Sequence, residues 1–185
     1  MTSPGPGKRY HHGNLAAAAV KCAEDEIARH GIAAASQVAD RAGVSHTAIG
    51  KRFGDKAGLF AAVAAEGFRL LGDALQSAGA DMRAMGRAYV AFAVERPALF
   101  AVMFQPAVYR ADDAAVVAAR AHTTALLRAG VGESIDDQAA SVALGAWAVV
   151  HGIASLVLGG AIDGDVVELY ERAVDATFRS GPCSV

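Results

Sequence analysis

The residues best suited to recognition chemistry lie in the segment 42–53, AGVSHTAIGKRF. If this segment is a tight turn followed by a short helix, the exposed face of the helix consists of His46, Thr47, Gly50 and Lys51, with Arg52 at its edge. Small, polar and basic side chains on an exposed helix suit the major groove of DNA, where they meet base edges and phosphates. The segment is therefore a candidate DNA-reading helix.

Further phosphate contacts are available beside this helix. The hydroxyl groups of Ser45 and Thr47 can donate hydrogen bonds to phosphate oxygens. Lys56 stands at the predicted start of the next helix, where free backbone N–H groups and a lysine together favour an anion. Residues 1–13, the N-terminal arm, can reach a neighbouring groove. The candidate contact residues in the arm are Lys8, Arg9, His11 and His12.

Three short helices must hold this surface in place. Cap residues and apolar spacing predict helices over 14–30, 36–42 and 46–53, with a glycine at each break. The inward positions that pack them together are Ala39, Val44, Ile49 and Phe53. Such a helix-turn-helix also occurs in bundles that never bind DNA, so the motif alone leaves both interpretations open.

The rest of the chain is also predicted to be helical. The predicted helices span about 56–78, 81–95, 97–104, 111–129, 135–158 and 164–179. Apolar residues make up 54% of the chain, and β-branched runs of strand length are scarce. We therefore predict an all-α fold of about nine helices with a sizeable buried core.

Charge is distributed unevenly along the chain. Residues 1–60 hold eight basic and five acidic residues, whereas the remainder holds nine basic and fourteen acidic ones. The basic N-terminal third indicates an anionic partner, although an excess of this size is also ordinary scatter. The two cysteines, Cys22 and Cys183, form neither a disulfide framework nor a metal-ligand spacing, which favours a reducing cytoplasm. Residues 1–13 lack the apolar run of a secretion signal.

The segment 138–162 contains no Asp, Glu, Lys or Arg and is long enough to span a membrane. Its immediate flanks are acidic on both sides, and no adjacent Lys or Arg orients a span. His151 lies near its middle, among many alanines and glycines. We therefore expect a helix of a domain centre or a subunit interface and no membrane span.

Four stretches of sequence resemble one family of proteins. YHHGNL, and then ADRAGVSHTAIGKRFGDKAGLFAAV, resemble the N-terminal DNA-binding domain of TetR-family transcriptional regulators over about residues 10–66. ERPALFAVMF and WAVVHGIASLVLGG are similar to the C-terminal domain of the Trp-His-Gly branch of that family. The candidate DNA-binding residues are then Arg9, Tyr10, Ser36, Gln37, Ser45, His46, Thr47, Lys51, Arg52 and Lys56.

Two departures from the family pattern bear on DNA binding. Gly50 stands where the family usually has a tyrosine that touches the DNA backbone. The approach from Gly31 to Ala39 is also shorter than is common, so the second helix must be short. Either change weakens DNA binding, alters its specificity or is benign variation.

The resemblance implies a two-part regulator. Residues 14–56 would bind double-stranded operator DNA, and residues 57–180 would bind a small-molecule effector and dimerise through the last two helices. A homodimer of this kind requires an inverted-repeat operator. The resemblance further implies a cytoplasmic protein, most often a repressor that its effector releases from DNA.

The effector site is expected among aromatic residues of the second half. Trp147 and His151 are four positions apart and share one helix face. Residues from neighbouring elements that can complete a mainly apolar cavity are Phe92, Met103, Phe104 and Tyr109. The same residues at helical spacing are equally explained as core, and His151 as a buried, hydrogen-bonded histidine.

Two other functions are possible for a chain of this kind, an enzyme and a regulator-like protein that no longer reads DNA. For an enzyme, the sequence offers no Gly-rich phosphate loop, no nucleophile elbow and no helical His-x-x-x-His pair, and we predict no cofactor and no metal. The other alternative is a TetR-like protein with weakened or lost sequence-specific DNA binding, for which Gly50 is the main support.

Overall fold

The computed structural model of the chain describes residues 12–34, 46–130 and 137–178. Within these ranges the chain forms eight α-helices and no strand. The helices are α1 (His12–Ala34), α2 (His46–Phe53), α3 (Lys56–Ala78), α4 (Met82–Glu95), α5 (Pro97–Met103), α6 (Ala114–Ala129), α7 (Asp137–Leu158) and α8 (Val166–Phe178). A single 3₁₀ turn, Pro106–Val108, follows α5. The all-α prediction is confirmed, and the additional helix predicted at 36–42 lies outside the described residues.

Acidic side chains cap the starts of four of these helices, including α8, where Asp165 accepts from the Glu168 N–H at 2.9 Å. The Asp55 carboxylate accepts a hydrogen bond from the Gly58 N–H at 2.9 Å, as the sequence predicts for the start of α3. Asp81 accepts from the first-turn N–H groups of α4, and Asp113 accepts from that of Ala115 in α6. The first N–H groups of a helix have no partner within it, so each carboxylate stabilises the helix start.

The first helix departs slightly from its predicted limits. It begins at His12, two residues before the predicted cap, which is an ordinary uncertainty for a helix end. The backbone leaves the helical path at Gly31, where φ is +74°, and one further helical stretch reaches Ala34. The predicted end of the helix therefore coincides with an interruption of α1.

Helix α3 is the central element of the fold. It packs against α1 and α2 at one end and against α4, α5 and α6 along its length. Its buried side chains are Leu59, Phe60, Val63, Phe68, Leu71 and Leu75. The expected domain boundary, between residues 56 and 57, falls at the first turn of this helix. A displacement of α3 would therefore affect both the N-terminal helices and the rest of the chain.

Helices α4, α7 and α8 form the other side of the molecule. Arg83 of α4 pairs with Glu171 and Asp175 of α8, and Arg87 pairs with Glu171. Helix α7 packs on α4 and, less extensively, on α6 and α8. This arrangement leaves one long side of α7 without a neighbour within the described chain.

By length and composition, Ala140–Leu158 is a helix that could cross a membrane, with a mean hydropathy of 1.9. Only 11% of this window is buried in the single chain. Its exposed large apolar side chains are Val142, Leu144, Trp147, Leu156 and Leu158. The exposed side of α7 is thus an apolar surface.

Candidate DNA-binding surface and ligand cavity

The C-terminal half of α2 presents basic side chains to solvent. Lys51 and Arg52 are exposed, and Phe53 is half-buried against the core. Lys56, at the first turn of α3, is also exposed, and its ammonium nitrogen lies 5.4 Å from the centroid of the Phe60 ring. Within the described part of the chain, none of these three cations pairs with an acid. They form a basic edge that is free to meet phosphates.

The remaining predicted DNA-binding residues are only partly covered. His46 and Thr47 lie in the first turn of α2, but their side chains are outside what the structure describes. Arg9, Tyr10, Ser36, Gln37 and Ser45 lie outside the described residues. Their roles in DNA binding remain predictions.

Gly50 occupies an open position on α2. A Cβ atom at this residue would meet nothing within 4 Å. The backbone there is helical and has no positive φ, so neither conformation nor packing requires glycine. A helical glycine costs about 1 kcal/mol relative to alanine, and no contact seen in the described chain offsets that cost.

The junction between α2 and α3 does require glycine at two positions. Gly54 has φ of +80°, in the left-handed region that a side chain disfavours, and this turn lets α3 start directly after α2. At Gly58, a Cβ atom would lie 1.9 Å from the Phe53 carbonyl oxygen. The end of α2 therefore packs onto the first turn of α3 at a distance that only glycine permits.

Arg110 joins this junction to the second half of the chain. Its Nη2 lies 2.6 Å from Asp55 Oδ1, and its Nη1 donates to the Phe53 carbonyl oxygen at 3.4 Å. Arg110, together with the Gly58 N–H, holds the pKa of Asp55 below its usual range. A basic group on the last carbonyls of α2 also complements the negative end of the helix. No sequence motif pointed to this residue.

A second charged contact joins α1 to the start of α5. The Arg96 guanidinium donates to both oxygens of Glu24, at 2.8 and 3.3 Å. Glu24 is 7% exposed, and Lys21 lies 3.3 Å from the same carboxylate. A buried carboxylate is tolerated only when it is paired and hydrogen-bonded, so this contact fixes how α1 sits on the rest of the chain.

A cavity of about 550 Å³ lies between α3, α4, α6 and α7. Four of the six predicted effector residues line it, namely Met103, Phe104, Tyr109 and Trp147. The remaining lining residues are Phe68, Leu71, Tyr89, Pro106, Arg120, Thr123, Thr124, Leu127, Arg128, Ala140, Ala143 and Leu144. This volume and this mainly apolar lining are typical of small-molecule sites.

A smaller cavity of about 370 Å³ adjoins the first. Tyr89, Leu127, Ala143 and Trp147 line both cavities, so these side chains form the shared wall. Its other residues come from α4, α7 and α8 and from Asp81 before α4, which places it between these three helices.

Tyr89 organises the shared wall through two hydrogen bonds. Trp147 Nε1 donates to the Tyr89 hydroxyl at 3.1 Å, and that hydroxyl lies 3.0 Å from His151 Nδ1. An indole N–H can only donate, so the buried tyrosine proton finds an acceptor when His151 Nδ1 is the unprotonated ring nitrogen. Burial raises the pKa of Tyr89 and lowers the pKa of His151, so both groups are neutral near pH 7.

The other two predicted effector residues lie elsewhere. Phe92 is buried in the core, and His151 is half-buried behind Tyr89, against the rings of Phe100 and Phe104. Neither belongs to the lining of the two cavities described above. Sequence reasoning missed Tyr89, which is fully buried; its hydroxyl on the apolar face of a predicted helix was the available signal.

The buried position of His151 predicts a pH dependence of stability. Because its folded pKa is below the ordinary 6.5, the unfolded chain binds a proton more readily. Neutral His151 therefore contributes to the free energy of unfolding above pH 6.5. This contribution is lost as the pH falls through 6.5 toward the folded pKa of His151. Replacing His151 with glutamine, which can still accept from Tyr89, should flatten this slope. Urea unfolding at several pH values measures it, and equal slopes in the two proteins would refute the assignment.

Two family models match this chain, one in each half. Residues 19–63 match the family described as bacterial regulatory proteins, tetR family, and residues 82–177 match the family described as a tetracyclin repressor-like C-terminal domain. No curated protein matches the chain.

Two solved structures share its fold over nearly the whole length. A protein with unknown function from Rhodococcus sp. RHA1 is 33% identical, with a TM-score of 0.74, over 94% of this chain and 98% of that one. SCO4313, which is described only provisionally as a regulatory protein, is 24% identical, with a TM-score of 0.76, over 95% of this chain and all of that one, which shows the fold alone. The matches in both halves show that this chain is a member of the TetR family of bacterial regulatory proteins.

Proposed function

We propose that this chain is a ligand-responsive transcriptional repressor that binds an inverted-repeat operator as a homodimer and is released by a small-molecule effector. One observation carries the proposal. Tyr109 lines the larger cavity, and the next residue, Arg110, contacts the end of α2. A ligand that moves Tyr109 would therefore also move Arg110, whose contacts orient the candidate DNA-reading helix.

The DNA-binding part comprises residues 14–56, with the arm 1–13 ahead of it. Its support is the exposed basic edge of Lys51, Arg52 and Lys56, together with the family match to residues 19–63. The open position of Gly50 is compatible with a groove-facing surface, since nothing in the described chain packs on it. The alternative, a family member with weakened or lost sequence-specific binding, rests on Gly50, which supplies no side chain to the DNA backbone.

The dimer would form through α7 and α8. The exposed side of α7 carries Val142, Leu144, Leu156 and Leu158. Gly145 and Gly152 lie in open space on the same helix, where a second helix could approach closely. Two helices from each subunit make a four-helix interface, and its two-fold axis places two copies of α2 about one DNA turn apart.

The effector would occupy the larger cavity in residues 57–180. Binding can shift the protein away from its DNA-binding state only through a difference in affinity between two states. Helix α3 and the contacts of Arg110 and Arg96 are the physical connections along which such a difference would reach α1 and α2.

Three finer assignments belong to the same proposal. Trp147, His151 and Gly152 lie in sequence on α7 and support membership of the Trp-His-Gly branch. Regulators of this family are typically not enzymes, and the described residues contain no group of three His, Cys, Asp or Glu side chains able to hold a metal ion. A DNA-binding protein of this family would act in the cytoplasm.

Replacing Arg110 with alanine tests the proposed communication. Effectors are first found by thermal shift against a metabolite panel, and their effect on operator affinity is then measured. In the unaltered protein we expect the effector to weaken operator binding by about 5- to 150-fold, the usual range of such coupling. In the variant, effector binding should persist while this ratio falls toward one.

Arg69→Ala is the matched control, because Arg69 is exposed and its ion pairs stay within α3. It should preserve the ratio. An Arg110 variant with an unchanged ratio would remove this contact from the mechanism, and ligands that bind without altering operator affinity would contradict the proposed function.

A further inference from the structure

Most polar side chains that line the larger cavity already form hydrogen bonds within the protein. The Tyr109 hydroxyl donates to the Met103 carbonyl at 2.9 Å, and the Thr123 hydroxyl donates to the Phe68 carbonyl at 2.8 Å. The Thr124 hydroxyl donates to the Arg120 carbonyl at 2.8 Å. In the shared wall, the Trp147 indole N–H donates to the Tyr89 hydroxyl. The hydroxyl and indole donors named above already have acceptors in the protein, which leaves two guanidinium groups as donors for a ligand.

Those two groups belong to Arg120 and Arg128 on α6. No acidic residue is among the side chains that line the cavity, and helix α6 contains no Asp or Glu. Within the described chain, neither arginine forms an ion pair. The lining is therefore apolar and aromatic, with a positive charge and unused donors on one wall.

Of the two arginines, Arg120 is the one whose charge acts on Tyr109, the residue before Arg110. Arg120 and Tyr109 both line this cavity. Burial raises the pKa of Tyr109, and the positive charge of Arg120 partly opposes that rise. Arg128 lies two helical turns further along, about 12 Å away. A ligand held at Arg120 would share the cavity with Tyr109, the residue that precedes Arg110.

We propose that the effector is an amphiphilic carboxylate, whose acid group pairs with Arg120 and whose apolar chain occupies the space between Phe68, Phe104 and Trp147. The inference rests on the proposed function in one respect, namely that this cavity is the effector site. A guanidinium meets a carboxylate through two parallel hydrogen bonds, which gives both affinity and orientation. Arg120 is exposed, so a neutral ligand of the same shape would leave its guanidinium to water and would gain no ion pair.

Trp147 is the only tryptophan in the chain and lines the cavity, so its fluorescence reports occupancy directly. The probes are decanoate and decan-1-ol, which share one alkyl chain and differ in the head group. We expect the full-length protein to bind decanoate at least about tenfold more tightly than the alcohol. Calorimetry of the same titrations provides a second measurement of each dissociation constant.

Arg120→Gln should remove the preference for decanoate and leave the dissociation constant of decan-1-ol unchanged, and Arg69→Gln should preserve both values. Equal affinity of the unaltered protein for acid and alcohol would overturn the proposal, as would an Arg120 variant that weakens both equally. Absence of decanoate binding by both fluorescence and calorimetry would also overturn it. None of these titrations involves DNA, so their failure beside intact operator binding would refute the ligand class and leave the proposed regulator standing.

Discussion

Replacing Lys51 with glutamine is expected to weaken operator binding by at least about thirtyfold. Lys51 is exposed on α2, and a direct contact from such a residue to a base or phosphate is worth about 1–3 kcal/mol. The proposed dimer contains the residue twice, so the loss is doubled. The dependence of log affinity on log salt concentration should also fall by about two, because two phosphate charges are no longer neutralised. Fluorescence anisotropy of a labelled operator at several salt concentrations measures both effects.

Gln76→Glu is the matched control for this prediction. It changes the charge of each chain by the same amount, and Gln76 is exposed near the opposite end of α3 from α2. It should alter affinity only slightly, through the long-range field. Similar losses for the two variants would show that overall charge, and not docking of α2, determines binding. An unchanged affinity of the Lys51 variant would place α2 away from the DNA.

Replacing Gly58 with alanine is expected to damage stability and DNA binding together. The added methyl carbon would lie 1.9 Å from the Phe53 carbonyl oxygen, so α2 must move away from α3. Overpacking of this kind costs about 1–3 kcal/mol, which corresponds to a Tm decrease of roughly 2–12 °C for a chain of this size. Because the displaced element is the candidate DNA-reading helix, operator affinity should also fall by at least about tenfold.

Gly50→Ala is the same chemical change at a position where a Cβ atom meets nothing. It should raise the free energy of unfolding by about 1 kcal/mol, since alanine is the better helix former. Calorimetry measures the stability of the two variants, and operator titration measures their affinity for DNA. A Gly58 variant as stable and as tightly bound as the original would contradict the described junction, and a destabilised Gly50 variant would contradict the open position.

Local signals account for most of what the sequence predicted correctly. The start of α3 at Lys56 follows from Asp55 as a cap, and the break after α2 follows from Gly54. Pro97 begins α5, since proline is tolerated in the first turn of a helix. These features depend on neighbouring residues, so the bounds of the helices are close to those predicted.

Contacts between distant residues could not be predicted in this way. Glu24 and Arg96 are 72 positions apart, and Arg110 and Phe53 are 57 positions apart. Nothing in a helical pattern specifies which of seventeen basic residues will meet which acid across the fold. The communication proposed here depends on such pairs, so it became visible only in three dimensions.

The cavity also combines features that the sequence predicts with features that only the packing shows. Helical spacing brought Trp147 and His151 onto one helix, but could not distinguish a lining residue from a buried neighbour. The hydrogen bonds of Tyr89 make that distinction, because they place Trp147 on the shared wall and His151 behind it. Likewise, the spacing of α7 indicated an apolar helix, and only the packing of α4, α6 and α8 shows which side is left exposed.

The central claim is that this chain recognises a particular DNA sequence. The most direct measurement is binding of the purified protein to the DNA upstream of its own gene and to a scrambled duplex of equal length, across a range of salt concentrations. We expect nanomolar binding to the upstream DNA, at least about a thousandfold tighter than to the scrambled duplex, with a steep salt dependence and protection of an inverted repeat. Equal and weak binding to both duplexes would contradict the account and favour a member of the family that has lost sequence-specific DNA binding.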